Sequence, residues 1–355
     1  MIPTVTAVVV NFHGAEHTVL AAHSILDDAD EAVMVVVVDN SDSPAEQARL
    51  RDRLPARAKL IVAPVNLGFG KACNLAVERE PSDLVWLVNP DARILPGCLA
   101  ALRRALAADP GLGAVAPLQY LDVGRRWLFS PAWLPTPIDE WVRSRVLRER
   151  RQRDRFDRAV RAETVRLWRA DAAGAPVRQR ALSGSNLLLR RACIDPQLGL
   201  FDPAFFMYFE DSDLCMRLRR QRWRMAVVAS APALHLWHLG SYKDDLMAQA
   251  RPLYVERHYA GSPWPGRPLP PCDVEPAHPW LDWPDGDWPV PPAWQTAWSL
   301  EVSPTPLFSP CIGRIGHGPV VPWPTEVVAA MPGVRLYVRL GPVEPIDPPA
   351  QRCIG

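Results

Sequence analysis

Three acidic residues, Glu210, Asp211 and Asp213, fall within four positions, just ahead of a helical pattern running from Leu214 to Arg222. Carboxylates so grouped can take a proton from a weakly nucleophilic hydroxyl. They can equally do no more than complement the positive end of the helix that follows. A second set of polar residues shares a different feature, since each directly follows an apolar run: Asn11, Asp39-Asn40, Asn66 and Asn89-Pro90-Asp91. Asn and Asp favour turns, but four successive runs ending this way point to a crevice for a polar ligand. Ser183-Gly184-Ser185-Asn186 adds small residues that let a sugar or phosphate come close to the backbone, or that form a tight turn into Leu187-Leu188-Leu189.

The segments that must position these residues alternate in character. Val5–Val10, Val33–Val38, Leu60–Ala63, Leu84–Val88 and Gly113–Pro117 are apolar and of strand length. Between them Glu16–Leu26, Ala45–Leu54, Gly70–Arg79 and Gly97–Ala108 carry helical patterns. Runs apolar throughout, alternating with helices, predict an α/β domain with a mostly parallel sheet covered on both faces. Ligands of such sheets sit beyond the carboxyl ends of the strands, where the Asn and Asp residues fall.

Composition shifts near residue 261. Residues 261–355 hold 22 of the 39 prolines and 7 of the 14 tryptophans. The expected division is an α/β domain over 1–260, a proline-rich linker over 261–292, and a small β-rich module over 293–355 with strands near Trp298–Val302, Val320–Trp323 and Val334–Leu340. Within the first domain, residues 143–169 carry 11 arginines against four acids. That stretch reads as an exposed, charged helical insert, or as a surface attracted to anionic lipid or to a diphosphate-linked acceptor. The C-terminal tryptophans read as packing for an irregular small module rather than as a sugar-stacking surface.

Forty basic and 39 acidic residues leave a formal charge of +1, which excludes nucleic-acid binding through global basicity. Seven scattered cysteines without a CxxC pair argue against a disulfide framework or a zinc site. No apolar run approaches the ~20 residues of a membrane helix, and the N-terminus shows no secretory pattern. A cytoplasmic protein is expected.

The ordered motifs Val8-Val9-Val10-Asn11, Val38-Asp39-Asn40-Ser41, Asn66-Leu67-Gly68-Phe69-Gly70 with Asn74, Leu87-Val88-Asn89-Pro90-Asp91, Ser183-Gly184-Ser185-Asn186, Phe205–Leu214 and His235–Ser241 together resemble the family 2 glycosyltransferases of GT-A fold, in particular their rhamnosyltransferase-like branch. The resemblance covers about residues 4–245. It implies an inverting enzyme that moves a sugar from a nucleoside-diphosphate donor, dTDP- or UDP-linked, to a hydroxyl of a saccharide or lipid-linked acceptor in bacterial-type surface polysaccharide or glycolipid synthesis. It further implies a divalent metal, Mg²⁺ or Mn²⁺, and a location at the inner face of the membrane if the protein is peripheral.

Carried over by position, the resemblance places Asn11 and Asp39 at the nucleoside. Asn66, Gly68, Asn74 and Asn89 line the nucleotide-sugar pocket. Asp91 takes the last place of the family's DxD motif and holds the metal, with His235 or His238 completing the site. Ser183, Gly184 and Asn186 face the substrate. Asp211 matches the catalytic base, with Glu210 and Asp213 as its neighbours. Asn89 departs from the strict DxD pattern, and one fewer carboxylate weakens a hard cation's hold. Asp91 can otherwise cap the helix near Leu95, and the histidines can simply pack beside Trp237. Most of the aromatics of Phe205–Phe209 read as core. A nucleotidyltransferase would share the sheet and the metal, but Asn11-Phe12-His13-Gly14 lacks a glycine- and arginine-rich activation loop. A non-catalytic sugar-nucleotide-binding protein is the remaining alternative, against which the intact Glu210-Asp211 and Asp91 argue.

Overall fold

A computed structural model describes residues 2–137, 150–170, 173–236, 243–262, 281–284, 286–344 and 350–354. His238, the first part of the arginine-rich stretch and most of the proline-rich linker lie outside the described residues. In chain order the elements are β1 (Val5–Asn11), α1 (Ala15–Asp28), β2 (Val33–Asp39), α2 (Pro44–Arg53), β3 (Ala58–Val62), α3 (Phe69–Arg79), β4 (Leu84–Val88), β5 (Ala92–Ile94), α4 (Cys98–Ala108), β6 (Leu112–Tyr120), β7 (Leu128–Phe129), α5 (Arg150–Trp168), β8 (Val177–Gln179), β9 (Asn186–Arg190), α6 (Glu210–Arg220), β10 (Arg224–His235), α7 (Lys243–Tyr259), β11 (Leu281–Asp282), β12 (Trp288–Pro289), β13 (Trp298–Ser303), β14 (Ile312–Gly316), β15 (Val320–Val321), α8 (Thr325–Ala330), β16 (Leu336–Pro342) and β17 (Ala350–Ile354). They form two compact units, the first made of 1–119, 171–236 and 240–260, the second of 120–170, 237–239 and 261–355.

The first unit is the expected α/β domain. Its strands β3, β2, β1 and β4 pair in parallel. Antiparallel strands extend the sheet on the β4 side, first β9 and then β6, and β10 joins β5, β6 and β8. The valine-rich runs are buried along nearly their whole length, as two-sided packing requires. One face buries Val5, Ala7, Val9, Val35 and Trp86 against Ile25 of α1 and Leu99 and Leu102 of α4. Local signals match the helices. Ser43 caps α2 by accepting from Glu46 N at 3.4 Å, with Pro44 at the first helical position. Two differences bear on the site. The acids of 210–213 lie inside the first turn of α6 rather than ahead of the helix, and β10 runs unbroken to His235.

The second unit gathers the stretch 120–170 with the C-terminal strands, so its bounds differ from those expected. Here β13 is flanked by β14 and β16, both antiparallel, and β16 pairs with β17. Trp127, Trp288 and Trp298 lie in its core, in line with the packing reading of the tryptophans. The arginine-rich helix α5 is not simply solvated. Phe156, Val160, Val165, Leu167 and Trp168 are buried, and so are Asp157 and Arg161. Arg161 Nε donates to Glu301 Oε1 at 3.0 Å and its Nη2 to Ser299 Oγ at 2.7 Å. Arg339 Nε donates to Glu301 Oε2 at 2.9 Å, and its Nη1 to Asp157 Oδ1 at 3.0 Å. Gly341 makes room for this network, since a Cβ there would stand 2.6 Å from Arg161 Nη1. Eleven arginines suggest an exposed helix; the partners that bury Arg161 come from strands more than a hundred residues away.

Candidate active site

The site is assembled from strand ends of the first unit. Register pairs Asn11 with Asp39 at the ends of β1 and β2. Asn11 Nδ2 donates to Asp39 Oδ1 at 2.9 Å and to Glu46 Oε2 at 3.3 Å. Its Oδ1 accepts from Thr18 Oγ1 at 2.8 Å and from Gly14 N at 3.3 Å. Asn11 is thus engaged at both ends and holds Asp39 in place. Asp39 Oδ1 also accepts from Ser41 N at 3.2 Å. Its Oδ2 is buried with no hydrogen-bond partner among the described residues. An orphaned carboxylate oxygen is costly, and its natural complement is one N–H of a bound molecule. Glu46, which sequence reasoning missed, completes this network. Burial pushes its carboxyl up, but hydrogen bonds from Ala15 N, the Asn11 amide and Arg49 outweigh burial and hold it below the usual range.

The loop after β3 is shaped by amides. Asn40 Nδ2 donates to Asn66 Oδ1 at 2.9 Å, which also accepts from Gly68 N at 3.0 Å. Asn40 Oδ1 accepts from Leu67 N at 2.8 Å. Gly68 has φ +80°, and a Cβ there would fall 2.1 Å from Phe206 O, so only glycine fits. Phe69 N donates to Phe206 O at 2.9 Å, tying this loop to the acidic segment. Asn74 does not present its amide to a donor. Its Nδ2 donates to Phe201 O at 2.8 Å and its Oδ1 accepts from Phe201 N at 3.0 Å. Phe205 and Phe209 are buried with Tyr254, whereas Phe206 is exposed.

The reacting end depends on two more registers. Val88 pairs with Asn186 across β4 and β9, which brings the Asn89–Asp91 loop beside Ser183–Ser185, and Asn89 N donates to Ser185 O at 2.8 Å. Ala92 pairs with His235 across β5 and β10, and His235 Nε2 stands 3.4 Å from Asp91 Oδ1. These two residues supply one hard oxygen and one imidazole nitrogen, a donor set that fits a divalent ion whose remaining ligands are diphosphate and water oxygens. Among the described residues no cluster of three or more His, Cys, Asp or Glu exists to hold a metal alone. Arg93, also missed from the sequence, donates from Nη1 to Pro90 O and to Ala92 O, both at 2.7 Å, and so braces the Asp91 loop.

The acidic segment closes the site. Gly184 N donates to Asp211 Oδ2 at 3.3 Å and Ser212 N to Asp211 Oδ1 at 2.7 Å. Asp211 keeps part of its surface open to solvent, yet enclosure of its carboxyl raises its pKa, opposed by those N–H groups. Burial, and next the Asp211 charge, push Glu210 up to about 8. The two residues before Glu210, Tyr208 and Phe209, have φ of 68° and 65°, a strained backbone of the kind that marks functional segments. Both oxygens of Asp213, a candidate proton acceptor, meet protein side chains. Its Oδ2 accepts from Arg217 Nε and its Oδ1 contacts His258 Nε2, each at 2.8 Å. Burial acts to raise its pKa, but these two partners together hold it below the usual range. Asn186 is fully buried; its Oδ1 accepts from Trp86 Nε1 at 2.9 Å, and its Nδ2 has no hydrogen-bond partner among the described residues. Ser183 is exposed, and its Oγ accepts from Ser185 N at 3.3 Å.

A family model described as Glycosyltransferase like family 2 matches residues 3–250, and the chain belongs to that family. It is a glycosyltransferase, which leaves the nucleotidyltransferase and non-catalytic readings without support. An N-acetylglucosaminyl-diphospho-decaprenol L-rhamnosyltransferase of Mycobacterium tuberculosis is 32% identical over 217 residues, covering 58% of this chain and 67% of that protein. Among solved structures, a mannosyltransferase of Pyrobaculum calidifontis in complex with GDP-Man and Mn²⁺ aligns at TM-score 0.47 and 17% identity, over 76% of this chain and 67% of the other. A glucosyl-3-phosphoglycerate synthase of Mycobacterium tuberculosis in complex with Mn²⁺ and UDP aligns at TM-score 0.47 and 16% identity, over 72% and 80%. Among the described residues no helix is long and apolar enough to cross a membrane.

Proposed function

We propose that the protein is an inverting sugar transferase. Its donor is a pyrimidine nucleoside-diphosphate sugar, dTDP-rhamnose before others, and its acceptor is a hydroxyl of a lipid-diphosphate-linked saccharide. The observation that carries this is a relay of contacts: Asp211 to Gly184, Ser185 to Asn89, and Asp91 to His235. It groups a proton acceptor and a metal-fitting pair at one sheet edge, with Asp39 at the end of a neighbouring strand. Support for a pyrimidine comes from Asp39. Uracil and thymine offer one N–H to its unpartnered Oδ2, whereas a guanine edge offers two donors and Oδ1 is already engaged. The rhamnose and the lipid-linked acceptor are supported by the 32% identical relative.

In this reading the acceptor oxygen attacks the anomeric carbon from the face opposite the diphosphate. A new C–O bond forms as the bond to diphosphate breaks. Asp211 Oδ2 takes the acceptor proton, and Gly184 N–H fixes the orientation of that carboxylate. A single displacement needs one base and no protein nucleophile, which suits Asp211. Asp91 and His235 would hold a divalent cation, Mg²⁺ or Mn²⁺, that neutralises charge developing on the leaving diphosphate. Asp39 holds the base, and Asn40 and Asn66 keep the loop ending at Gly68 close to the donor. Turnover assays and thermal shift with UDP-, dTDP- and GDP-linked sugars test the assignment. Stabilisation and transfer with dTDP-rhamnose or a UDP-sugar are expected. Selective use of a GDP-sugar contradicts the reading of Asp39.

A further inference from the structure

Helix α7 grips the acidic segment at three points. Tyr254 is buried and packs on Phe209, ring centroids 5.1 Å apart. Arg257 Nε lies 3.2 Å from Asp202 Oδ2, while Asp202 Oδ1 accepts from Ala204 N at 2.9 Å. His258, its side chain 1% exposed, sets Nε2 2.8 Å from Asp213 Oδ1. These contacts reach the start of the segment, the strained residue before Glu210, and the first turn of α6.

The third contact is the most constrained. Asp213 Oδ2 accepts from Arg217 Nε at 2.8 Å, and Arg217 Nη2 donates to Leu200 O at 2.7 Å. His258, Asp213, Arg217 and Leu200 thus form one buried chain that joins α7, α6 and the loop before α6. Asp213 is two residues from Asp211 in the first turn of α6, so contacts that fix Asp213 also restrain the backbone that carries Asp211. The backbone there does not hold itself. Tyr208 and Phe209 both sit at positive φ, and such a conformation persists only where surrounding contacts impose it. Phe209 has no side-chain capping partner to offer α6. The constraint comes from packed partners: α7, through Tyr254 and His258, together with the bond from Phe69 N to Phe206 O. Asp213 spends both oxygens on side chains, Oδ2 on Arg217 and Oδ1 on His258, rather than on the N–H groups of the first turn.

We propose that His258 is a positioning residue for the Glu210-Asp211 pair, holding the first turn of α6 in its reactive register through Asp213. The proposal rests on the reading of Asp211 as the proton acceptor. It concerns kcat rather than binding, since a displacement of about 1 Å at a reacting group can cost about 100-fold.

The test compares His258→Gln with His258→Asn in the full chain. A Gln amide nitrogen reaches the place of Nε2 and keeps the bond to Asp213; the shorter Asn does not. Three readouts are taken: kcat and KM for sugar transfer, melting temperature, and the carboxyl ¹³C titration of Glu210 by NMR. In the wild type, burial and then the neighbouring Asp211 charge push Glu210 up to about 8. His258→Gln is expected to keep kcat within about threefold and to keep that titration. His258→Asn should lose about 10–100-fold in kcat, the range typical of supporting partners, with KM within about twofold and the Glu210 titration displaced towards its ordinary 4.5 as water enters the turn. A folded His258→Asn protein with near-normal kcat and an unmoved Glu210 titration overturns the proposal. So does equal loss in both variants, which marks a merely structural histidine. If the wild type transfers no sugar from any donor tried, the reading of Asp211 fails, and the NMR arm alone decides the positioning claim. Should His258→Asn not fold, Arg257→Ala, at a half-exposed side chain, carries the test. A fall in kcat of about three- to fivefold is then expected, with the melting temperature lowered by no more than about 4 °C. Unchanged kcat and an unmoved Glu210 titration in that variant overturn the proposal.

Discussion

Glu301→Gln probes how the arginine-rich helix is held. Glu301 and both guanidiniums it serves have side chains 0% exposed. One oxygen accepts from Arg161 and the other from Arg339. A glutamine keeps the shape but turns one acceptor into a donor facing an arginine. Two buried cations are then left with Asp157 as their carboxylate. Breaking a buried charge network in this way costs about 3–5 kcal/mol. The second unit spans roughly 150 residues, for which each kcal/mol moves the midpoint about 2–4 °C, so the melting temperature should fall by about 6–20 °C. Calorimetry on the full chain reads this, with Arg166→Ala as control. Arg166 pairs with Glu163 on the exposed face of the same helix, where loss should stay under about 1 kcal/mol. A shift for Glu301→Gln no larger than the control's refutes the claim that the network holds α5 to the strands.

Glu210 makes stability depend on pH. Its folded pKa, about 8, lies above the ordinary 4.5. Between those values the folded state therefore holds a proton that the unfolded state has lost, and stability falls as pH rises from about 5 through about 8. Urea midpoints at successive pH values should show that slope, and Glu210→Gln should flatten it; a slope that persists in the variant places its origin elsewhere. Asp91→Ala should weaken Mn²⁺ binding measured calorimetrically with nucleoside diphosphate present, by at least the 10–100-fold or so that losing a supporting residue costs, without lowering the melting temperature. Unaltered Mn²⁺ affinity removes Asp91 from the metal site.

The parallel core was legible because two-sided burial leaves a plain mark: β1 and β2 are valine-rich and buried, with Thr6 the one polar residue before Asn11 and Asp39 end them. The Asp91–His235 pair was legible as a motif, but its cause, the register of β10 against β5, was not, since Pro232 suggests a break where the strand continues. Asn74, Asn186 and Asp213 show the limit of motif reading. Each belongs to the ordered pattern, yet Asn74 binds the backbone of Phe201, Asn186 Oδ1 takes Trp86 Nε1, and Asp213 meets Arg217 and His258. An amide that binds backbone and one that binds ligand look alike in sequence. Helix α7 escaped notice because it carries Pro252, a residue that usually ends a helix. Arg161 and Arg339 escaped because arginine reads as surface until its carboxylate partners are brought next to it.

The central claim is that Asp211 takes the acceptor proton. Asp211→Asn keeps the shape and the contact with Gly184 but cannot accept that proton. Its rate of sugar transfer to a lipid-diphosphate-linked acceptor should fall by about 10²–10⁴-fold, with donor KM and melting temperature unchanged. A variant that transfers sugar at near wild-type rate contradicts the account.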